Sequence, residues 1–150
     1  MQKIIIYCDG GCRGNQHAEN IGGWGAVLEY KGKTKELFGG EQNTTNNRME
    51  LTACIKALEA IKTKNIPIEM RVDSAYVCNG MTSWVEKWVK KNWKKSDGKP
   101  VENESLWQRL LLLSDNQESV EWSKVKGHSG ESGNELADQL ANKAMDEIGG

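Results

Sequence analysis

The chain has 150 residues, a mass of 16.7 kDa and a formal net charge of −1, a size that suits a single domain over residues 1–150. Hydrophobic residues make up 37% and charged residues 27%, which excludes disordered, collagen-like and low-complexity proteins. No apolar run approaches the roughly 20 residues of a membrane-spanning helix and no signal peptide opens the chain, so we expect a soluble, cytoplasmic protein.

The first half of the chain is predicted to hold three strands and a helix. A nearly continuous apolar strand is followed by a glycine-rich turn at 10–14, a hairpin that turns near Lys31-Gly32, and a segment of helical period. The predicted strands are residues 3–8, 21–30 and 33–39, and the predicted helix is residues 47–62.

The second half of the chain is predicted to alternate between strands and helices. Residues 66–72 and 120–125 read as strands, and residues 74–79, 84–91, 103–113 and 131–147 read as helices. This order predicts an α/β fold with a five-stranded mixed sheet, in which the opening strands pair antiparallel and the later ones parallel. Helices should cover both faces, and ligands should bind beyond the carboxyl ends of the parallel strands.

Four carboxylates occur where such a fold could bring them together. Asp9 and Asp73 each end a predicted strand, Glu50 borders the buried face of the 47–62 helix, and Asp138 lies in the last helix. Oxygen ligands of this kind suit Mg²⁺ or Mn²⁺, and two such ions form the clamp used for in-line displacement at phosphorus.

Each carboxylate also has a purely structural interpretation. Asp9 could be a turn former before two glycines, and Asn47-x-x-Glu50 could be a capping box with Asn47 as the N-cap. Asp73 could cap the following short helix, and Asp138 could lie on a solvated helix face. The sequence alone leaves these interpretations open.

The segment from Trp84 to Lys99 is strongly basic. It holds six lysines and two acidic residues, and four of the six tryptophans of the chain fall between residues 84 and 107. Such a segment is typical of a phosphate track with aromatic side chains beside it, although a solvated lysine face and buried tryptophans, Trp88 above all, are the structural alternative.

Two other residue types need an interpretation. His128 lies in a loop between a strand and the last helix, where an exposed imidazole could move protons. The four cysteines, Cys8, Cys12, Cys54 and Cys78, are expected to be reduced thiols, and nothing completes a zinc site around the spacing of Cys8 and Cys12.

Several segments together resemble the type 1 ribonuclease H family of bacteria. The similarity spans roughly residues 3–146 and is most specific in Thr44-Thr45-Asn46-Asn47-Arg48-Met49-Glu50-Leu51 and in the spacing of His128 and Asp138. It implies a ribonuclease H-like fold and an endoribonuclease that cuts the RNA strand of RNA/DNA hybrids, leaving 5′-phosphate and 3′-hydroxyl ends.

The resemblance also implies residue roles. Asp9, Glu50, Asp73 and Asp138 would hold two Mg²⁺ ions, with Mn²⁺ also plausible, and His128 would assist proton transfer or product release. The RNA strand would be read through its 2′-hydroxyls by Cys12, Asn15, Asn46 and Asn47. The DNA strand would be gripped at a phosphate by Thr45 and Asn103, packed by Phe38 and Trp84, and tracked by Lys87, Lys90, Lys91, Lys94 and Lys95.

The chain departs from the family in places. The loop after Asp9 is longer and lacks proline, Asn43 stands where many relatives have arginine, and Ala75 replaces a frequent glutamine. Two rival functions remain at this point: a transposase- or resolvase-like nuclease that cuts DNA, and a module that binds hybrids without cutting them. We expect a monomer whose partner is an RNA/DNA hybrid.

Overall fold

A computed structural model describes residues 2–14, 20–125 and 132–149. The strands are β1 (Ile4–Arg13), β2 (Ile21–Tyr30), β3 (Lys33–Gln42), β4 (Ile68–Val72) and β5 (Val120–Lys124). The helices are α1 (Asn46–Glu59), α2 (Ala75–Asn79), a π-helical turn (Gly80–Trp84), α3 (Val85–Lys90), α4 (Glu104–Asp115) and α5 (Ser132–Gly149).

The strands form one five-stranded sheet in the order β3-β2-β1-β4-β5. β1 pairs antiparallel with β2, and β2 with β3, whereas β4 lies parallel to both β1 and β5. The predicted mixed sheet is therefore confirmed, and the central position of β1 explains why its first half is apolar on both faces.

Alternate residues of β1 serve the two faces of the sheet. Ile4, Ile6 and Cys8 belong to the main core that α1 closes, whereas Tyr7 belongs to a smaller cluster with Val27, Ala137 and Leu140 beneath α5. Helices thus cover both faces, as the sequence predicts, and Asp9 follows Tyr7 on the α5 side because side chains alternate along a strand.

The predicted turn at 10–14 is wrong. β1 continues to Arg13 in register with β2, with Gly10 opposite Trp24 and Gly11 opposite Gly23. The reason is that the antiparallel ladder supplies backbone hydrogen bonds all along this segment, which outweighs the weak strand propensity of glycine.

Helix α1 starts at Asn46, one residue before the prediction, and ends three residues earlier, at Glu59. Its N-cap is Thr45, whose hydroxyl accepts a hydrogen bond from the Arg48 N–H at 3.1 Å. The capping box that would make Asn47 the N-cap is therefore wrong.

The tryptophans of the basic segment form an aromatic cluster with Trp107, in which the rings meet at tilted or edge-on angles. The Trp88 ring centroid lies 5.8 Å from that of Trp84, 5.9 Å from that of Trp93 and 5.3 Å from that of the fully buried Trp107. Trp88 itself is half-buried and packs against the main core rather than lying within it, so this cluster anchors the lysine-bearing segment to that core.

All four cysteines are free thiols, as predicted. Within the described ranges, no helix has both the length and the apolar character that crossing a membrane requires.

Candidate active site

Asp9 and Asp73 are brought together by the parallel pairing of β1 and β4. The register places Cys8 opposite Val72, so the next residue on each strand is an aspartate on the α5 side. β4 ends at Val72, whereas β1 runs on past Asp9. Asp9 lies within its strand rather than at its end, and it is 8% exposed.

Glu50 reaches the same point because α1 lies against the backbone of β1. A Cβ atom on Gly10 would lie 2.5 Å from the Met49 carbonyl carbon and 2.6 Å from the Glu50 nitrogen. Only glycine permits this approach, which sets the Glu50 carboxylate beside Asp9.

The three side chains form a compact cluster. One carboxylate oxygen from each of Asp9, Glu50 and Asp73 lies within 4.8 Å of the other two. Asp138 lies on α5, where it is half-buried. It is close enough to Asp9 to contribute to the raised pKa of that carboxyl, but it lies outside the group of three whose oxygens are within 4.8 Å of one another. The fold thus brings three of the four predicted carboxylates together, and α5 places the fourth, Asp138, near Asp9.

Burial and mutual repulsion shift the titration of this cluster. Desolvation, followed by the charge of Asp73, raises the pKa of Asp9 to about 8. Desolvation, followed by the charges of Asp9 and Asp73, raises the pKa of Glu50 to about 10. Desolvation also raises the pKa of Asp73. Keeping these carboxylates ionised and close together costs free energy, and a bound cation would lower that cost.

The donor set fits a hard divalent cation. The cluster offers carboxylate oxygens, the ligands that Mg²⁺ and Mn²⁺ prefer, and in the described part of the chain it is the one group of acidic, histidine or cysteine side chains spaced to hold a metal. The chemistry available to such a site is displacement at a phosphorus centre.

The structural alternatives for these carboxylates do not hold. Ser74 rather than Asp73 caps α2, since its hydroxyl accepts from the Val77 N–H at 3.1 Å. Asp9 lies in a strand rather than a turn, and Asp138 is half-buried near Asp9 rather than on a fully solvated helix face.

Three of the four residues predicted to read the RNA strand lie in the described part of the chain, around the start of α1. Asn46 and Asn47 are exposed in the first turn of α1. Cys12 pairs with Gly22, and a Cβ on Gly22 would lie 2.2 Å from the Thr44 methyl group, so Cys12 is close to the start of α1. Asn15 lies outside the described residues, as does His128.

The residues predicted to grip the DNA strand meet through Tyr76. The Asn103 amide donates to the Tyr76 hydroxyl at 3.2 Å, and the Trp84 ring packs on the Tyr76 ring with centroids 5.8 Å apart. The Trp107 indole N–H also donates to this hydroxyl, at 3.0 Å. Thr45 is exposed at the N-cap of α1 and is not part of this group of contacts.

The remaining predicted contacts lie on the surface. Phe38 is 38% exposed on β3, with the Lys143 ammonium 4.8 Å from its ring centroid. Lys90 faces Glu86 at 3.8 Å. The lysines of the basic segment are all exposed: Lys87, Lys90, Lys91, Lys94 and Lys95.

Sequence reasoning missed two residues that organise the site. Gly10 reads as part of a turn, although a glycine within a strand is a signal of close backbone approach. Tyr76 has no sequence signal of its own, since a tyrosine near the start of a short helix is ordinary, and only the fold gives it three partners.

Comparison with known proteins agrees with the fold. A model of the RNase H family matches residues 1–146. A ribonuclease H of Ruthia magnifica is 56% identical over 148 residues, which is 99% of each chain. The structure of LC9-RNase H1, a type 1 RNase H with the type 2 active-site motif, superposes with a TM-score of 0.87 at 36% identity, covering 98% of this chain and 74% of that one.

A second solved structure is LC11-RNase H1 in complex with an RNA/DNA hybrid. It has a TM-score of 0.72 and 26% identity, with 97% of this chain and 99% of that chain covered. The family match over nearly the whole sequence and the high identity leave one conclusion: the chain belongs to the ribonuclease H family of nucleases that act on RNA/DNA hybrids.

Proposed function

We propose that this chain, acting as one catalytic domain over residues 1–150, hydrolyses the RNA strand of RNA/DNA hybrids by a two-metal-ion reaction that leaves 5′-phosphate and 3′-hydroxyl ends. The observation that carries the proposal is the buried cluster of Asp9, Glu50 and Asp73, joined by Asp138. A protein that only binds hybrids has no use for carboxylates held together against their repulsion.

Asp9, Glu50, Asp73 and Asp138 would hold the ions. When bound, two divalent cations activate the attacking water and stabilise the leaving 3′ oxygen. The chain's own contribution is to fix four oxygen donors on rigid elements, so that little reorganisation is needed during the reaction. Mg²⁺ is the proposed ion, with Mn²⁺ as a substitute of the same ligand preference.

His128 is proposed to assist proton transfer or product release. Its support is the family resemblance and the titration of an imidazole near neutral pH. Replacing His128 by Ala should lower kcat more than it raises KM, because the group acts on the reacting atoms rather than on the duplex.

The two strands of the hybrid would be held on different sides of the cluster. Cys12, Asn15, Asn46 and Asn47 would contact the 2′-hydroxyls of the RNA, which distinguish RNA from DNA. Thr45 and Asn103 would bind a DNA phosphate, Phe38 and Trp84 would pack on DNA sugars, and the lysines of the basic segment would track the backbone. The meeting of Asn103 and Trp84 at Tyr76 supports placing these two residues on the same side of the hybrid.

We also propose that the enzyme is a cytoplasmic monomer. The support is chemical: four free cysteines suit a reducing compartment, and one chain supplies all four carboxylates. Size-exclusion chromatography with light scattering tests the oligomeric state.

The test is cleavage of three end-labelled duplexes, RNA/DNA, RNA/RNA and DNA/DNA, in Mg²⁺ and in EDTA. We expect cutting of the RNA strand of the hybrid alone, and only with Mg²⁺. The double variant Asp9→Asn/Asp73→Asn is the inactive control. Cleavage of DNA would favour a transposase- or resolvase-like nuclease, and tight binding of the hybrid without cleavage would favour a binding module.

Product ends need a separate measurement. A 5′-phosphate-dependent exonuclease should degrade the downstream fragment, and a polymerase should extend the upstream fragment from its 3′-hydroxyl. A downstream fragment that resists the exonuclease would contradict the proposed chemistry.

A further inference from the structure

A charged and aromatic network lies one step along the sheet from the carboxylates. Tyr7 and Arg71 are directly opposite each other in the ladder of β1 and β4. Each precedes a site aspartate by two residues, so both lie on the face that carries Asp9 and Asp73.

Arg71 ties this network together. Its Nη1 donates to the Tyr7 hydroxyl at 2.6 Å, and its Nε donates to Glu69 at 2.8 Å. The guanidinium carbon also lies 5.5 Å from the Tyr7 ring centroid. Glu69 receives the Lys3 ammonium at 2.6 Å, and its hydrogen bonds to Arg71 and Lys3 lower its pKa to about 2, which keeps the network charged.

The Tyr7 ring in turn supports the first turn of α5. A Cβ on Gly133 would lie 2.2 Å from the ring edge of Tyr7, so the helix backbone rests directly on the ring. Ala137, one turn further on, is fully buried in the same cluster as Tyr7. The next residue is Asp138.

From these contacts we infer that Arg71 is a positioning residue that acts through Tyr7 to set Asp138 over the carboxylate cluster. The inference rests on the proposed function, because Asp138 matters there as a donor to the bound cation. Arg71 holds the Tyr7 ring at its hydroxyl, and the ring sets how far the first turn of α5 lies from the sheet. A change in that distance would tilt the helix and so alter the distance from Asp138 to Asp9.

A second contact decides what the loss of Arg71 would change. Further along α5, the Ala137 and Ala141 carbonyl oxygens lie 2.3 Å from where Cβ atoms on Gly25 and Gly23 of β2 would be. These two contacts hold the middle of α5 against β2 without involving Tyr7. Removing the Arg71 head group should therefore shift the start of α5 and not detach the helix.

The test is the variant Arg71→Met, which keeps an apolar stem and loses the guanidinium. Titration calorimetry with Mn²⁺ on the free enzyme should show weaker binding by about tenfold, the scale expected when a residue that supports a metal ligand is removed. The Mg²⁺ concentration that half-saturates hybrid cleavage should rise in parallel, with kcat at saturating Mg²⁺ changed far less.

Lys3→Met is the matched control, because it removes the other cation on Glu69 without touching Tyr7. It should leave Mn²⁺ affinity within about twofold of wild type. Tyr7→Phe removes only the hydroxyl that Arg71 holds, so it should move Mn²⁺ affinity in the same direction as Arg71→Met while retaining the buried ring.

Arg71→Met and Tyr7→Phe could lower the melting temperature and leave both the Mn²⁺ affinity and the Mg²⁺ requirement unchanged. In that case the network only stabilises the fold, and the inference is wrong. That outcome is distinct from failure of the proposed function, in which the wild type and Lys3→Met would themselves fail to cleave the hybrid. If Arg71→Met does not fold, Tyr7→Phe alone decides the matter.

Discussion

The backbone of Gly10 lies against the backbone of Glu50: a Cβ on Gly10 would sit 2.6 Å from the Glu50 nitrogen. This contact joins the strand that carries Asp9 to the helix that carries Glu50. The distance between the two carboxylates therefore depends on a residue that has no side chain.

Gly10→Ala should impair both folding and the site. The added methyl group must push α1 away from β1, which costs about 1–3 kcal/mol for overpacking a rigid contact and separates Glu50 from Asp9. We expect a lower melting temperature and at least a tenfold loss of hybrid cleavage. Gly11→Ala is the control, because nothing lies within 4 Å of the added Cβ there. Equal effects of the two changes would contradict the role given to Gly10.

Asp9→Asn should abolish cleavage while stabilising the metal-free protein. The wild-type carboxylate is 8% exposed and is repelled by Asp73, so a neutral isostere removes an unfavourable charge. We expect the free energy of unfolding in EDTA at pH 8 to rise by about 1–3 kcal/mol. Urea denaturation followed by tryptophan fluorescence measures it. A destabilised Asp9→Asn protein would mean that the ionised carboxylate is stabilised by contacts other than a cation.

The stability of the metal-free protein should fall as the pH rises. The pKa values of Asp9 and Glu50 are raised to about 8 and about 10, so between about pH 4 and these values the folded state holds protons that the unfolded state has released. The stabilisation from these protons is fully present below about pH 4 and is lost as the pH passes through the folded-state pKa values.

Mg²⁺ should reverse this dependence. A cation binds the ionised carboxylates of the folded state and competes with protons, so the increase in melting temperature on adding Mg²⁺ should be larger at pH 8.5 than at pH 6. Differential scanning calorimetry in Mg²⁺ and in EDTA at both pH values tests this. An increase that does not depend on pH would place the ion elsewhere, and Asp9→Asn/Asp73→Asn should show none.

The lysines of the basic segment should supply salt-dependent affinity. Replacing Lys90, Lys91, Lys94 and Lys95 by Ala should weaken hybrid binding and reduce the slope of log K against log salt by up to about 0.9 for each phosphate that is no longer neutralised. The control replaces another four lysines of equal charge at the far end of the sheet: Lys33, Lys35, Lys62 and Lys64. Fluorescence anisotropy from 50 to 300 mM salt would show whether the two quadruple variants differ, and identical slopes would argue against a phosphate track.

Thr45 should have a structural as well as a binding role. Its hydroxyl caps α1 by accepting from the Arg48 N–H, so Thr45→Ala should cost about 1 kcal/mol of stability and also weaken hybrid binding. Thr45→Ser keeps the hydroxyl and should restore both. A stable Thr45→Ala protein with weakened binding would separate the two roles, and unchanged binding would remove Thr45 from the proposed phosphate pocket.

The sequence determined the sheet and the choice of candidate carboxylates. The hairpin signal near Lys31-Gly32 placed β2 at residues 21–30, and helical periodicity placed α1, because the apolar spacing of a half-buried helix is set by its own geometry. The identity of Asp9, Glu50, Asp73 and Asp138 as candidates followed from their position in those elements and from the family resemblance.

Only the tertiary structure decided how these residues meet. The extension of β1 through Gly10 and Gly11, the capping of α1 by Thr45 and the convergence on Tyr76 all depend on partners distant in the chain. A segment's own residues cannot reveal a strand partner, a helix that packs against a glycine, or a tyrosine hydroxyl that accepts two hydrogen bonds. Those contacts bring Asp9, Glu50 and Asp73 into one cluster, with Asp138 beside it, whose mutual repulsion favours a bound cation.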